Sequence, residues 1–182
     1  PWRISKNSKK KHFYRILSEF MLQQTQVKTV IPYFKSFVHK VPNLKALSES
    51  NEKKILKLWE GLGYYSRAKN LHKTSKILVK KYDSQIPDTF EKLKELPGVG
   101  DYTANILLAL IYNHPRIGVD GNVKRVLFRL FNLEVKNPEN LFKTKRNDDL
   151  AEALMEFGAI ICKPKDPLCH KCKLKKNCSY YK

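Results

Sequence analysis

The sequence predicts an all-α protein, on three observations. Apolar residues recur at the i, i+3, i+4, i+7 spacing of a helix with one buried face. In the first predicted helix these residues are Phe13, Ile16, Leu17, Phe20 and Met21. No stretch shows the sustained alternation of apolar and polar residues that is typical of a half-buried strand. Glycine- and proline-containing turns separate the periodic segments.

Four helices are predicted in the first half of the chain. The first starts near His12, the second starts at Val27, and the third follows the polar segment 48–51. Two glycines within residues 61–65 favour a turn. A fourth helix covers residues 67–82, where apolar positions on one face are accompanied by lysines on the other.

The second half continues with shorter helices. Asp88 or Thr89 is the expected N-cap of a short fifth helix, because both side chains can accept a hydrogen bond from the first turn. A sixth helix begins near Asp101, and two later helices cover residues 122–131 and 147–162.

The charge of the chain indicates a polyanionic partner. Its 36 Lys and Arg residues against 17 Asp and Glu give a formal charge of +19. A field of that sign favours nucleic acid, although a basic surface without a function is the alternative. No apolar run approaches the roughly 18 residues of a membrane span, and no signal peptide is recognisable. We therefore expect no membrane partner.

The segment 96–100, Leu-Pro-Gly-Val-Gly, lies between two predicted helices. Gly98 and Gly100 permit positive φ and close backbone approach, so that amide groups at the start of the next helix can point at a phosphate. Such a contact would position a duplex without reading its bases. The alternative is a corner between two helices in which the glycines serve geometry alone.

Two carboxylates are candidates for chemistry. Asp120 precedes Gly121-Asn122 at a helix start, where an N-cap is the ordinary explanation. Glu19 has a solvated helix face as its ordinary explanation. A carboxyl flanked by Phe20 and Met21 would instead be partly desolvated, which raises its pKa. One protonated and one ionised carboxyl form the pair that glycosidic cleavage needs.

All the cysteines of the chain lie close together near its end. They are Cys162, Cys169, Cys172 and Cys178. Without a secretory signal, this clustering indicates metal ligation in a reducing compartment. Four thiolates in one loop can hold an iron–sulfur cluster. Zinc is the alternative, but four-cysteine zinc sites usually present two CxxC-type pairs and this loop has one. His170 is expected at the surface.

Several segments together resemble the adenine DNA glycosylases of the MutY type, which belong to the helix–hairpin–helix superfamily that also contains endonuclease III. The segments are 18–27 (SEFMLQQTQV), 59–65 (WEGLGYY), 96–100, 119–126 (VDGNVKRV) and the 6-2-5 cysteine spacing. They occur in the order of the family and cover almost the whole chain.

The resemblance implies two helical subdomains with the active site in the cleft between them. Residues 1–116 would form a six-helix barrel containing the helix–hairpin–helix, and residues 117–182 a helical iron–sulfur domain. The implied activity is excision of adenine mispaired with 8-oxoguanine or guanine, by hydrolysis of the N-glycosidic bond after the base is flipped out of the stack.

The resemblance also implies a role for each site residue. Glu19 would protonate the departing adenine, Asp120 would stabilise the oxocarbenium-like sugar, and Asn122 would hold Asp120 and the water. Tyr102 occupies the place of an active-site tyrosine. The residues expected to contact DNA are Gln23, Gln24, Thr25, Tyr64, Gly98, Gly100 and Lys124. The four cysteines would bind a [4Fe-4S] cluster.

Position 102 separates two kinds of enzyme in this superfamily. Endonuclease III-like enzymes carry a lysine there, which forms a Schiff base and cuts the strand. A tyrosine cannot form an imine, so we expect a monofunctional glycosylase. The alternatives are a thymine glycosylase that acts on G·T mismatches, a bifunctional glycosylase/lyase, and a catalytically silent DNA-binding protein.

The expected partner is double-stranded DNA with A·8-oxoguanine or A·G mispairs, bound by a monomer. The expected location is the bacterial cytoplasm with the nucleoid, or the nucleus or an organelle of a eukaryote. Members of the resembled family usually carry a helix before Pro1-Trp2 and a second domain after the cysteines that recognises oxidised guanine. Without that domain, we expect weaker discrimination between oxidised and normal guanine.

Overall fold

The computed structural model describes residues 1–3, 8–134 and 141–181, and these residues form helices and no strand. The all-α prediction is confirmed. The α-helices are α1 (Ser8–Leu22), α2 (Val27–Lys40), α3 (Leu44–Glu49), α4 (Glu52–Leu58), α5 (Ser66–Tyr82), α6 (Phe90–Lys94), α7 (Asp101–Tyr112), α8 (Gly121–Phe131) and α9 (Asn147–Ile160). Two 3₁₀ turns follow at Cys169–Lys171 and Lys175–Asn177. None of the described helices is long and apolar enough to cross a membrane.

The region of the third predicted helix contains two short helices. Asn43 caps α3, because its side chain accepts a hydrogen bond from the Ala46 amide at 2.8 Å. Asn51 caps α4 in the same way, with its acceptor 2.8 Å from the Lys53 amide. The polar segment 48–51 therefore ends one helix and introduces the next, whereas the sequence prediction recognised only the second.

The chain divides into two compact units, residues 1–100 and residues 101–182. The first unit contains α1 to α6 around a core of large side chains. Its largest fully buried residues include Trp59, Phe13, Phe20, Phe34 and Phe37. Aromatic rings supply much of this core, and the ring centroids of Phe37 and Trp59 lie 6.3 Å apart in an edge-to-face arrangement.

The second unit contains α7, α8 and α9. Ile106 and Leu110 of α7 share one buried cluster with Val123 and Leu127 of α8 and Ala151 of α9. Helix α7 therefore packs within this unit, although the sequence-based division at residue 116 assigned it to the first domain. Buried apolar side chains determine this grouping. The division at 116 into functional domains stays a prediction.

His72 of α5 is expected to make the stability of the first unit depend on pH. It is 2% exposed, and burial lowers its pKa below 6.5, with Lys76 acting in the same direction and main-chain groups of Ser50 and Ser48 opposing both. The unfolded state then binds a proton at a higher pH than the folded state does. The free energy of unfolding is therefore expected to fall as the pH drops from about 6.5 toward the lowered pKa.

Urea unfolding at about pH 7.5 and pH 5.5 measures this effect, because the two values bracket the ordinary titration of histidine. His72→Gln should reduce the pH dependence. His39→Gln, at an exposed position of α2, is the matched control and should leave it unchanged. An unaltered pH dependence in His72→Gln would contradict the assignment.

Candidate functional site

Asp120 is the N-cap of α8, as its position before Gly121 predicted. Its Oδ1 accepts a hydrogen bond from the Val123 amide at 2.7 Å, and its Oδ2 accepts one from Asn122 Nδ2 at 3.1 Å. The main-chain oxygen of Asp120 accepts from the amide of Lys124, whose side chain is exposed. Both carboxylate oxygens are thus oriented at the positive end of a helix dipole.

Arg125 ties this carboxylate to the cysteine segment. Its Nη2 donates to Asn122 Oδ1 at 2.8 Å and to the Gly158 carbonyl oxygen at 2.8 Å. Its Nε donates to the Cys162 carbonyl oxygen at 2.9 Å. A chain of hydrogen bonds therefore runs from Asp120 through Asn122 and Arg125 to Cys162. Sequence reasoning missed Arg125, although its position three residues after Asn122 places both on one helix face.

Tyr102 lies in the first turn of α7, half-buried in the second unit. Its hydroxyl donates a hydrogen bond to Met155 Sδ at 3.2 Å. The ring packs against Gly118, where an added Cβ would lie 2.8 Å from the Tyr102 Cε2 atom. The close approach of the backbone at Gly118 holds the ring in place.

Glu19 lies in the last part of α1 and is 7% exposed. Its neighbours Phe20 and Met21 are fully buried. The solvated-face explanation of this carboxyl is therefore wrong, and the desolvated environment expected from its apolar neighbours is present. Glu19 belongs to the first compact unit and Asp120 to the second.

The predicted DNA-contact residues of the first unit lie in three turns, which are the one after α1, the glycine turn before α5 and the hairpin of Gly98 and Gly100. Gln24 and Tyr64 are exposed, Tyr64 by 61%, and both have left-handed backbone angles of φ 55° and 47°. Gln23 Nε2 donates to the Gly98 carbonyl oxygen at 3.2 Å, and Thr25 Oγ1 donates to the Gln23 carbonyl oxygen at 3.3 Å. Side chains that follow α1 thus reach the hairpin 75 residues later.

The two hairpin glycines differ. Gly98 has φ 80°, and a Cβ there would lie 2.9 Å from Asn70 Cβ and from Phe20 Cε1, so no larger residue fits. Gly100 lacks a positive φ and has open space around it. The positive φ that glycine permits is adopted at Gly98 and not at Gly100, and α7 starts directly after Gly100.

The four cysteines line one pocket in the second unit. Arg129 of α8 borders it, with Nη1 3.7 Å from Cys162 Sγ. The same guanidinium donates to the carbonyl oxygens of Lys163 at 2.7 Å and Pro164 at 3.0 Å. Its Cζ lies 4.7 Å from the ring centre of Tyr180. Arg129 therefore orients the loop between α9 and the later cysteines.

The donor set of this pocket is all sulfur. Cys178 is 8% exposed, and its Sγ lies 3.3 Å from the Arg129 carbonyl oxygen. In the part of the chain that the structure describes, no three histidine, cysteine, aspartate or glutamate side chains are arranged to hold one metal ion.

The chain is similar in sequence to known proteins over most of its length. Residues 17–150 match the family model described as HhH-GPD superfamily base excision DNA repair protein. A protein named adenine DNA glycosylase from Buchnera aphidicola subsp. Baizongia pistaciae is 40% identical over 100% of this chain and 53% of its own length. Proteins of the same name from Schizosaccharomyces pombe and Mus musculus are each 37% identical, over 91% and 100% of this chain.

Solved structures show the same architecture. A thermostable thymine-DNA glycosylase is 28% identical with a TM-score of 0.86, over 100% of this chain and 87% of that one. A trapped endonuclease III–DNA covalent intermediate has a TM-score of 0.79 over the same shares at 23% identity, which shows the fold alone. The chain spans about half the length of the bacterial relatives that it matches, 53% and 55% for two Buchnera proteins.

Proposed function

The chain belongs to the HhH-GPD superfamily of base excision DNA repair proteins, and from that premise we propose that it hydrolyses the N-glycosidic bond of adenine mispaired with 8-oxoguanine or guanine. The observation that carries this proposal is the Asp120–Asn122 pair at the start of α8, in a chain that is 40% identical along its whole length to a protein named adenine DNA glycosylase.

Asp120 is proposed to stabilise the positive charge that develops on the sugar as the base leaves. A fixed carboxylate is well suited to this task, because it needs no reorganisation when the charge appears. The Val123 amide and Asn122 Nδ2 orient its two oxygens. Asn122 is in turn held by Arg125, so the amide cannot rotate away. Asn122 is also proposed to position the water that completes hydrolysis.

Glu19 is proposed as the general acid that protonates a ring nitrogen of adenine, since a protonated purine leaves more readily. Burial disfavours the charged form of a carboxyl, and Glu19 is 7% exposed. Two carboxyl groups in different environments can serve as acid and charge stabiliser at the same pH. Asp120 lies at a helix N-terminus, whereas Glu19 is surrounded by apolar side chains, so the two carboxyl groups have different environments.

Tyr102 supports a reaction that ends at base removal. Its phenol cannot form an imine with the sugar, and its hydroxyl is engaged by Met155. Lys124 is an exposed amine one turn after Asp120, and it could trap the opened sugar as a side reaction. The main product is expected to be an intact strand with an abasic site.

A [4Fe-4S] cluster is proposed for the sulfur-lined pocket. Its ligands would be Cys162, Cys169, Cys172 and Cys178. When bound, the cluster would supply four iron–thiolate bonds that crosslink the end of α9 to the two 3₁₀ turns. The residues fit this group, because all four cysteines line the same pocket and Arg129 brings a positive charge to Cys162 Sγ.

The proposed partner is double-stranded DNA. A monomer of the protein would bind it in the compartment that holds the genome. Support comes from the net charge of +19 and from the turn at Gly98, which leads directly into the N-terminus of α7. Backbone amides at such a helix start can bind a phosphate oxygen. Gln23, Gln24, Thr25, Tyr64, Gly100 and Lys124 complete the proposed contact set.

Single-turnover base release tests the proposal, with three duplexes that contain A·8-oxoguanine, A·G or G·T. Adenine should be released from the first two without strand cleavage, and alkali should then cut the abasic site. Release of thymine alone, or release of no base, would refute the adenine assignment. Strand scission by freshly purified enzyme that is lost in Tyr102→Phe would refute the monofunctional assignment.

The thymine arm of this experiment tests the second candidate function. The thermostable thymine-DNA glycosylase shares 28% identity and a TM-score of 0.86 with this chain. The 40% identity to a protein named adenine DNA glycosylase and the presence of Glu19 in a buried position favour adenine, whose departure benefits from ring protonation.

A further inference from the structure

Arg67 is the most extensively hydrogen-bonded side chain of the first unit that the proposed reaction leaves without a role. It lies in the first turn of α5 and is 6% exposed. Each hydrogen bond described for its guanidinium ends on a main-chain carbonyl oxygen. The acceptors belong to Phe20, Met21, Gln23, Leu62, Gly63 and Tyr64.

These acceptors fall into two groups from separate parts of the chain. Nη1 donates to the Phe20, Met21 and Gln23 carbonyl oxygens at 3.2, 2.7 and 2.5 Å. Those oxygens lie at the end of α1, where the last carbonyls of a helix lack partners within the helix. No basic residue lies in the last turn of α1, so Arg67 supplies the cation that a helix C-terminus favours.

The other donors hold the glycine turn before α5. Nη2 donates to the Gly63 carbonyl oxygen at 3.0 Å and Nε to the Tyr64 carbonyl oxygen at 3.4 Å. The guanidinium also lies over the ring of Trp59, with Arg67 Cζ 5.4 Å from the ring centre. Trp59 Nε1 donates to the same Gly63 carbonyl oxygen at 3.1 Å.

The two groups of acceptors share one further property. The Gln23 carbonyl belongs to the peptide immediately before Gln24, and the Gly63 carbonyl belongs to the peptide immediately before Tyr64. Gln24 and Tyr64 both have left-handed backbone angles, with φ of 55° and 47°, and they are two of the seven described non-glycine residues with positive φ. A left-handed conformation is unfavourable for such side chains unless the surroundings impose it. One guanidinium therefore fixes the orientation of the peptide groups directly before Gln24 and Tyr64, and with it the direction of both exposed side chains.

We propose that Arg67 is a positioning residue that holds Gln24 and Tyr64 together as a preformed wedge for opening the base stack of DNA. This inference rests on the proposed function, because it assigns the two turns to the step in which the base leaves the duplex. The planar guanidinium of Arg67 carries several N–H donors, so it can hydrogen-bond to both turns at once. The ammonium of a lysine carries the same charge but cannot reproduce that geometry.

The matched variants are Arg67→Lys, Tyr64→Ala, the double variant, and Lys80→Met as a control that removes one exposed charge from the same helix. The probe is a duplex with 2-aminopurine beside an A·8-oxoguanine mispair, because 2-aminopurine fluorescence rises when its neighbours unstack. Affinity for an undamaged duplex and single-turnover adenine release are measured beside it.

Arg67→Lys should slow unstacking and adenine release by at least about tenfold, since small misplacements of a positioned group have large effects on rate. Affinity for undamaged duplex should change by less than about threefold, because the phosphate contacts that dominate affinity are retained. In the Tyr64→Ala background, Arg67→Lys should add clearly less than the loss that it causes alone, because only its effect on Gln24 is then left to lose and residues that act through one another are not additive. Lys80→Met should unstack the probe as the unaltered protein does.

Gly63→Ala keeps the test valid if Arg67→Lys fails to fold. A methyl group at Gly63 meets open space, but the φ of 76° strains any residue with a Cβ. It should slow unstacking while the guanidinium remains. Fully additive losses in the double variant would overturn the inference, and so would normal unstacking in Arg67→Lys or, where that variant does not fold, in Gly63→Ala. An unaltered protein that unstacks the probe in an Arg67-dependent way yet releases no adenine would refute the proposed reaction and support the wedge.

Discussion

Replacing Asp120 by asparagine is expected to abolish base release while leaving the fold intact. Asparagine is as good an N-cap as aspartate, so its Oδ1 can still accept the Val123 amide that now lies 2.7 Å from Asp120 Oδ1. The substitution removes the negative charge and places an amide opposite Asn122 Nδ2. Loss of the charge that stabilises the sugar cation should slow adenine release by at least about 10³-fold.

Single-turnover release from A·8-oxoguanine duplex measures this loss, and thermal unfolding measures the fold. The charge of a first-turn carboxylate contributes well under about 2 kcal/mol to a helix, so the melting temperature should move by less than about 4 °C. Asp149→Asn is the matched control, since Asp149 is an exposed carboxylate in the first turn of α9. Asp120→Asn that retained a tenth of the release rate would remove Asp120 from the reaction.

Replacing Cys169 by serine is expected to remove the cofactor and to destabilise the end of the chain. The unaltered protein should be brown, with about four iron atoms per chain and the broad visible absorbance of iron–sulfur charge transfer. The segment from Cys162 onward has two three-residue 3₁₀ turns in its described part, and its main-chain hydrogen bonds are mostly local, apart from those that Ser179 and Tyr180 donate to Leu130 and Arg129 of α8. The melting temperature should fall by more than about 10 °C, because structural metal sites contribute several kcal/mol to folding.

Iron analysis, the visible spectrum and hydrogen exchange of residues 162–181 measure the loss of the cofactor and of local structure. His170→Ala is the matched control, because His170 is exposed in the same segment and is not among the proposed ligands. It should keep both the colour and the melting temperature. A colourless unaltered protein that holds one zinc ion per chain would rule out the iron–sulfur assignment.

Local features of the site were predictable because their physical causes are local. The cap at Asp120 depends on a short polar side chain directly before a helix, and α8 begins one residue later. The apolar period of α1 left two environments open for Glu19, a solvated helix face and a desolvated one, and the structure shows the second, with Glu19 7% exposed. The positive φ at Gly98 follows from a turn between two helices, whereas Gly100 shows that a glycine pair need not share one conformation.

The grouping of helices was not predictable from local pattern. The period of α7 indicates which of its faces is buried, but not which helices it packs against. The structure places it with α8 and α9 through Ile106, Val123 and Ala151. The helix α3 was missed for a related reason, since its six residues are too few to show a period.

By itself, the sequence determined the helical class, the N-cap at Asp120, the apolar surroundings of Glu19 and the cysteine spacing, because each is encoded in neighbouring side chains. Only the tertiary structure revealed Arg67 and Arg125. Their hydrogen bonds to main-chain carbonyl oxygens reach up to 47 and 37 residues along the chain. Every residue carries such an oxygen, so no pattern of side chains marks which ones a distant guanidinium will bind.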